Sequence, residues 1–127
     1  MPDGSLTIRL LLVDDDVDVA TMYEMQLAAH GFRVTTAHSG MEAIDRASAD
    51  PPDLIYLDLG LPEMHGLEVL RQLRATPSTA GIPVIILTNY SEPELMERGR
   101  ELGAHDYLIK AHTPPAVLAE ATRRWVS

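Results

Sequence analysis

The chain has 127 residues, a formal net charge of −9 and no cysteine. This length suits one domain, residues 1–127, with a hydrophobic core of useful size. The acidic balance argues against direct nucleic-acid binding and against anionic membrane surfaces. The lack of cysteine excludes disulfides and thiolate chemistry. No apolar stretch reaches membrane-spanning length, and no basic region precedes the first apolar run, so we expect a cytoplasmic protein without a signal peptide.

Short apolar runs alternate with helix-like segments five times along the chain. Strands are predicted at residues 6–13, 32–37, 54–57, 83–87 and 106–109. Helices are predicted at residues 16–29, 39–48, 67–75, 93–102 and 113–125, where Thr113 would cap the last one. Gly31 and Gly103 are expected to stop the first and fourth helices.

The first, third and fourth predicted strands are apolar without alternation. Strands of this kind are buried on both faces, which is typical of a parallel sheet between two layers of helices. The sequence therefore predicts a doubly wound α/β fold built on five parallel strands, with helices on both faces.

Several side chains are interpreted as structural or surface residues. The first helix carries Val19, Met22, Tyr23, Gln26 and Leu27 at helical spacing. We interpret the six methionines and Trp125 as packing residues of the core or of a partner face. The histidines lie in predicted turns and are interpreted as surface residues rather than metal ligands: His30, His38, His65, His105 and His112.

Polar side chains follow four of the five predicted strands at the point where each strand ends. The first strand ends in aspartates at 14–16, the third in Asp58, the fourth in Thr88 and the fifth in Lys110, whereas the second ends with nothing reactive. Two unit charges about 4 Å apart cost roughly 4 kcal/mol at an effective dielectric near 20. If the other four strands are neighbours, these side chains line one pocket, because ligand crevices lie beyond the carboxyl ends of parallel strands.

Such a pocket has the composition of a phosphoryl-transfer site. Clustered carboxylates bind a hard cation, and oxygen ligands suit Mg²⁺. Asp58 can act as the nucleophile, Lys110 can hold a phosphoryl oxygen as a point charge, and Thr88 can donate a hydrogen bond to another. Lys110 is also the only lysine, beside nine arginines, which disfavours a casual surface role. The cation would then offset the charge cost of the acidic triplet.

At these residues the sequence resembles the receiver domain of response regulators, which act in bacterial two-component signalling. The landmarks are VDDD at 13–16, DLGLPEMHG at 58–66, Thr88 thirty residues beyond Asp58, and Tyr107 followed by Lys110. These anchors occur in order, and the resemblance covers essentially the whole chain. It implies a flavodoxin-like fold with strand order 2-1-3-4-5.

The resemblance also implies roles at the pocket. Asp58 would accept a phosphoryl group from a histidine of a sensor kinase or phosphotransfer protein, and the domain would not act on a diffusible substrate. Asp14 and Asp15 would hold Mg²⁺ together with Asp58 and the Gly60 carbonyl. Of Asp14 and Asp15, Asp15 is the one expected to coordinate the ion directly. Asp16 is expected to cap the first helix instead.

A second set of implied roles concerns the output of the domain. The switch pair that reports phosphorylation would consist of Thr88 and Tyr107. Thr88 would also assist the chemistry at Asp58 together with Lys110. The face built by helix 4, strand 5 and helix 5 would then change its binding of a downstream protein partner. A phosphorylation-dependent dimer is a further expectation.

Three residues depart from the pattern of the family. Proline usually follows the lysine, often after a cis bond, whereas this chain has Ala111. A cis bond before a non-proline residue costs about 3 kcal/mol, so we expect a trans bond here and a displaced Lys110. Asn89 replaces a residue that is usually small. Tyr90 stands where family members differ in access of hydrolytic water, and its bulky ring is expected to slow dephosphorylation.

Three other functions remain open from the residues alone. A degenerate receiver that only scaffolds is suggested by Ala111 and Asn89. A magnesium-dependent aspartyl-phosphate phosphohydrolase would need a cap insertion, for which 127 residues leave no room. A flavodoxin-like cofactor carrier would need a loop rich in glycine and hydroxyl groups after the first strand, where this chain has carboxylates that repel a phosphate.

Overall fold

The computed structural model describes residues 7–126, in which five strands alternate with five helices. The strands are β1 (Arg9–Val13), β2 (Arg33–Ala37), β3 (Leu54–Leu57), β4 (Val84–Thr88) and β5 (Asp106–Ile109). The helices are α1 (Val17–Ala29), α2 (Gly40–Ala49), α3 (Gly66–Ala75), α4 (Pro93–Glu101) and α5 (Pro115–Val126), with a short 3₁₀ turn at Lys110–His112. Within residues 7–126, none of the helices combines the length and apolarity that crossing a bilayer requires.

The five strands form one parallel sheet in the order β2-β1-β3-β4-β5, which confirms the predicted fold and strand order. The register aligns the ends of the central strands. Val13 at the end of β1 lies opposite Leu57 at the end of β3, so the residues that follow them leave the sheet side by side. Thr88 at the end of β4 lies opposite Ile109 at the end of β5.

Two helix layers cover the sheet, as the unbroken apolar strands predicted. Helices α1 and α5 pack on one face, where Tyr23, Leu27 and Leu118 belong to the same buried cluster as Leu12 and Tyr56 of the sheet. Helices α2 and α3 pack on the other face, and α4 adds partly buried side chains to the same core. Burial of β1, β3 and β4 on both faces removes most of their side chains from water, and this apolar burial is the main source of stability in the fold.

Helix α1 buries a narrower face than its composition indicates. Ala20, Tyr23 and Leu27 are buried, whereas Met22 and Met25 are 57% and 67% exposed. Apolar residues occur on all sides of this helix, so helical spacing alone could not identify the buried side. Met22 and Met25 therefore do not pack in the core, and only the partner-face interpretation stands for these two residues. Trp125 packs edge-on against Tyr56 at 6.3 Å between ring centroids.

The predicted element boundaries differ from the structure mainly at the ends. The first strand was expected from Leu6, which lies outside the described residues, and β1 begins at Arg9. Gly31 and Gly103 have a φ of 93° and follow α1 and α4 closely, as predicted. Thr113 does not cap α5: its hydroxyl donates to the Ile109 carbonyl at 2.8 Å, and the helix begins two residues later at Pro115.

Gly66 allows the loop after β3 to fold tightly against the first turn of α3. A Cβ at this position would lie 2.4 Å from the backbone oxygen of Asp58 and 2.6 Å from the Cα of Leu59. The Gly66 N–H also donates to the Leu59 carbonyl at 2.9 Å. Since both close atoms belong to the backbone, only a shift of the loop itself could make room for a side chain.

We therefore predict that Gly66→Ala lowers the free energy of unfolding by about 1–3 kcal/mol, as overpacking of a tight site does. Gly81→Ala is the matched control, since a Cβ there would meet no atom within 4 Å, and it should change stability by less than about 0.5 kcal/mol. Urea denaturation of both variants measures the difference. Equal stabilities of the two variants would contradict the tight packing at Gly66.

Candidate functional site

The acidic residues that follow β1 and β3 are fixed by the sheet itself. The Asp14 N–H donates to the Ala37 carbonyl, and the Asp58 N–H donates to the Val13 carbonyl, each at 3.0 Å. The backbone ladder thus continues one residue past each strand and holds both carboxylates at the same edge. Asp14 is 1% exposed and Asp58 is 8% exposed, so both are buried polar residues.

Lys110 joins these two carboxylates. Its Nζ lies 2.6 Å from Asp14 Oδ2 and 2.8 Å from Asp58 Oδ2, and the lysine side chain is only 14% exposed. Acids from the first and third strands therefore converge with an amine from the segment after the fifth strand. This convergence is what the positions of the polar residues in the sequence predicted.

Burial and the ion pairs together determine the pKa values of Asp14 and Lys110. Burial raises the pKa of Asp14, and the nearby Lys110 only partly opposes this effect. For Lys110, burial lowers the pKa, but the hydrogen bonds to Asp14 and Asp58 outweigh it, so the pKa is raised. Lys110 is therefore a firmly positive group, and burial still disfavours the ionised form of Asp14.

The first helix begins with the cap that was predicted. Asp16 Oδ1 accepts a hydrogen bond from the Val19 N–H at 3.1 Å, and its own N–H donates to Asp14 Oδ1 at 2.9 Å. Both contacts orient the residue toward the helix backbone. Asp16 is confirmed as the N-cap of α1.

Three carboxylates are arranged so that they could hold a metal ion. Asp14, Asp15 and Asp58 each offer an oxygen, and these oxygens lie within 4.8 Å of one another. Asp14 Oδ2 is buried and, apart from its ion pair with Lys110, has no hydrogen-bond partner. A hard divalent cation fits this donor set, because the set contains only oxygen and carries more negative charge than one lysine neutralises.

These residues line a cavity of about 230 Å³. Its walls are formed by Asp14, Asp15, Asp16, Asp58, Gly60, Thr88, Asn89, Tyr90 and Lys110. Two larger depressions, of about 410 and 390 Å³, lie beside β1, β2 and α2 and beside α4 and β5. Volume therefore does not identify the site, whereas the convergence of three acids, a hydroxyl and an ammonium does.

Thr88 and Tyr107 meet at the backbone of Tyr90. The buried Thr88 hydroxyl accepts a hydrogen bond from the Tyr90 N–H at 3.4 Å. The Tyr107 hydroxyl donates to the Tyr90 carbonyl at 2.6 Å. The two residues expected to form a switch pair are thus linked through a single intervening residue.

The ring of Tyr90 covers part of the pocket rim. A Cβ added to Gly60 would lie 2.9 Å from Tyr90 Cε2 and 3.0 Å from its hydroxyl oxygen. The ring therefore lies directly over the Gly60 backbone, while 46% of the residue remains exposed. Tyr90 and Gly60 both line the cavity that contains Asp58.

Sequence reasoning missed the contribution of His38. His38 is half-buried rather than a surface residue, and its Nδ1 lies 2.8 Å from the Asp14 carbonyl oxygen, a structural contact to the backbone. His38 directly follows β2, so the same rule that selected the other strand ends would have found it. His65 also has a local role, since its ring accepts a hydrogen bond from the Leu67 N–H at 3.1 Å.

The departures at positions 89 and 111 are joined to each other. The Ala111 N–H donates to Asn89 Oδ1 at 2.9 Å, a bond that proline at 111 could not make. No peptide bond among residues 7–126 is cis, which confirms the expected trans bond before Ala111. The expectation that this loop displaces Lys110 is wrong, because Lys110 still reaches Asp58.

Comparison with known proteins agrees with this geometry. Residues 10–122 match the family model of the response regulator receiver domain. The chain is 38% identical over 114 residues to the response regulator MprA of Mycobacterium bovis, and this match covers 90% of the chain and 49% of MprA. It is 40% identical over 124 residues to the transcriptional regulatory protein PrrA of Mycobacterium tuberculosis, covering 98% of the chain and 51% of PrrA.

Solved structures give the same result. The chemotaxis protein CheY4 of Vibrio cholerae superposes with a TM-score of 0.86 at 30% identity, covering 95% of this chain and 99% of CheY4. The chain belongs to the response regulator receiver domain family. Its acidic pocket and lysine are consistent with phosphorylation of an aspartate, and family membership implies no catalysis beyond chemistry on the domain's own aspartate. The chain spans about half the length of the curated relatives it matches.

The acidic triad predicts that the protein binds a divalent cation, and Mg²⁺ is the ion used to test this. We expect Asp15→Asn to weaken Mg²⁺ binding by at least the roughly tenfold that loss of an outer-shell partner costs, because it removes one of three negative charges. Asp16→Asn is the matched control, since asparagine caps a helix as well as aspartate does. Calorimetric Mg²⁺ titration of the three proteins gives the affinities. Equal weakening by both substitutions would contradict the separate roles of Asp15 and Asp16.

Proposed function

We propose that this chain accepts a phosphoryl group on Asp58 and that Thr88 and Lys110 assist the transfer. The observation that carries the proposal is the placement of Lys110 Nζ, 2.8 Å from Asp58 Oδ2 and 2.6 Å from Asp14 Oδ2. An ammonium in this position lies beside any phosphoryl group attached to Asp58. Thr88 lines the same cavity with its hydroxyl, so it can donate to a second phosphoryl oxygen.

The proposed reaction moves a phosphoryl group from a histidine of the donor protein to Asp58. A carboxylate oxygen of Asp58 forms a bond to phosphorus as the bond from phosphorus to a histidine nitrogen of the donor breaks. The imidazole keeps the electron pair of the broken bond and takes up a proton. Phosphoryl transfer of this kind requires mainly in-line positioning and neutralisation of charge on the equatorial oxygens. Lys110 contributes a full positive charge to that neutralisation.

Mg²⁺ is the ion proposed for the acidic triad, with Asp14, Asp15 and Asp58 as carboxylate ligands and Gly60 as a carbonyl ligand. When bound, it supplies positive charge to a phosphoryl oxygen and reduces repulsion between that oxygen and the aspartates. The support is the spacing of the three carboxylates and the position of Gly60 in the wall of the same cavity.

Partners follow from family membership. Receiver domains pair with histidine kinases, so we propose a sensor kinase or a phosphotransfer protein as the donor, within the cytoplasm.

The domain covers residues 1–127 in this proposal. Relatives include a transcriptional regulatory protein, which supports control of transcription as an output of the whole protein. The acidic net charge of the chain disfavours direct nucleic-acid contact by these residues.

The output face is proposed to be formed by α4, β5 and α5. Tyr107 borders a depression of about 390 Å³ on this face, where Met96 is 40% exposed. Phosphorylation at Asp58 would draw on the Thr88 hydroxyl, change the backbone at Tyr90 and so alter the hydrogen bond of Tyr107. A downstream protein, or a second copy in a phosphorylation-dependent dimer, would recognise the altered face.

Two contacts disfavour the alternative of a degenerate receiver that only scaffolds. It rested on Asn89 and Ala111, yet these two residues bond to each other and Lys110 remains on Asp58. No specific observation favours the phosphohydrolase or the cofactor carrier, so we propose the phosphoryl-accepting function alone.

Phosphorylation of Asp58 is tested with a small-molecule phosphodonor such as acetyl phosphate. We predict one phosphoryl adduct, labile in base, that requires Mg²⁺ and is absent from Asp58→Asn, because the amide lacks the nucleophilic oxygen charge. Intact-mass spectrometry measures the adduct. Asp45→Asn, on an exposed position of α2, is the control and should be modified like the wild type. An adduct that persists in Asp58→Asn would sink the assignment.

The ring of Tyr90 is predicted to prolong the life of the phosphoryl group. Tyr90→Ala opens the rim over Gly60 and should shorten the phosphoryl lifetime severalfold, because water gains access to phosphorus. Tyr90→Phe keeps the ring and should retain most of the lifetime. Decay of the adduct after removal of the donor provides the measurement. An unchanged lifetime in Tyr90→Ala would show that the ring does not restrict hydrolytic water.

A further inference from the structure

One side chain connects the segment that carries Lys110 to the segment that follows β4. Asn89 Oδ1 accepts a hydrogen bond from the Ala111 N–H at 2.9 Å, across 22 residues of sequence. Asn89 directly follows Thr88, which is 1% exposed and pairs with Ile109 across the sheet. The acceptor is therefore anchored to the buried end of β4, and its position relative to the sheet is well defined.

The bond acts on the peptide group immediately after Lys110. On its other side, Lys110 is joined to Ile109, which is held in the β4–β5 ladder. The backbone of Lys110 is thus fixed at both ends, by the sheet before it and by Asn89 after it. Its side chain then spans the pocket to Asp14 and Asp58. A rotation of the Ala111 peptide would change the direction in which the lysine leaves the backbone.

Asn89 and Ala111 are both exposed, whereas the Lys110 side chain is largely buried. A single exposed hydrogen bond adds little to global stability. Its loss should therefore leave the fold intact while it widens the range of orientations open to Lys110. This separates an effect on positioning from an effect on folding.

We propose that Asn89 is a positioning residue for phosphoryl transfer, which acts by holding the Ala111 N–H so that Lys110 points at Asp58. The inference rests on the proposed function of Asp58 and deepens it. Asn89 does not touch the reacting atoms in this role. The Lys110–His112 turn begins at the end of β5 without a side-chain cap. The hydrogen bond from the Ala111 N–H to Asn89 fixes the backbone of this turn instead.

The test compares Asn89→Ala with Asn89→Asp, which keeps the acceptor oxygen, and with Ser91→Ala, an exposed control on the same segment. At saturating Mg²⁺ and acetyl phosphate, Asn89→Ala should be phosphorylated about tenfold more slowly, because small misplacements of a reacting group are costly. Its half-saturating Mg²⁺ concentration should stay at the wild-type value, since Asn89 holds none of the three carboxylates. Asn89→Asp should recover most of the rate, and Ser91→Ala should match the wild type.

Hydrogen exchange at the Ala111 amide supplies a second readout, which does not depend on phosphorylation. The amide should be protected in the wild type and in Asn89→Asp, and it should exchange faster in Asn89→Ala. Unchanged protection in Asn89→Ala would overturn the inference, and so would a wild-type phosphorylation rate in that variant. A wild type that gains no adduct on Asp58 would instead overturn the proposed function, and the positioning role would fall with it.

Discussion

The ammonium of Lys110, held between two buried carboxylates, is the interaction on which the rest of the site depends. Asp14 and Asp58 lie beside each other because Val13 and Leu57 are in register at the ends of neighbouring strands. Two buried like charges at this spacing repel strongly without a cation between them. The Lys110 ammonium supplies this positive charge. Lys110 follows β5, which pairs with β4 in the sheet, and its turn is also bound to Asn89 through the Ala111 N–H. Sheet register, burial and charge balance are thus parts of one arrangement.

The charge balance also explains why the pocket suits phosphoryl chemistry. Three carboxylates converge on it, and one ammonium cannot neutralise them. The remaining negative charge would repel a phosphoryl donor unless a divalent cation entered with it. Burial raises the pKa of Asp14, and the neighbouring Asp58 carboxylate adds a smaller effect in the same direction. The three carboxylates could hold a hard cation beside a nucleophilic oxygen of Asp58, as the proposed function requires.

The strand ends were predictable because they obey a rule of parallel sheets that does not depend on detailed packing. Asp14, Asp58 and Lys110 each follow a strand, and the carboxyl edge brings such residues together. Two features escaped prediction for physical reasons. The buried side of α1 was predicted only in part: Tyr23 and Leu27 are buried, whereas Met22, at the same helical spacing, is exposed, because apolar residues occur on several sides of this helix. The bond between Asn89 and Ala111 joins residues 22 positions apart, and no periodic pattern in the sequence encodes a contact between two loops.

The two hydrogen bonds at Tyr90 differ in strength, and the difference suits a switch. The bond from its N–H to the Thr88 hydroxyl is long, at 3.4 Å, whereas the bond from the Tyr107 hydroxyl to its carbonyl is short, at 2.6 Å. In the proposed function, a phosphoryl oxygen on Asp58 accepts a hydrogen bond from the Thr88 hydroxyl, and the reorientation of that hydroxyl acts first on its weaker contact, the one it accepts from the Tyr90 N–H. The stronger contact then couples the displaced Tyr90 backbone to Tyr107. In this proposal, a small movement of Thr88 inside the pocket would reach the α4–β5 face without any rearrangement of the apolar core.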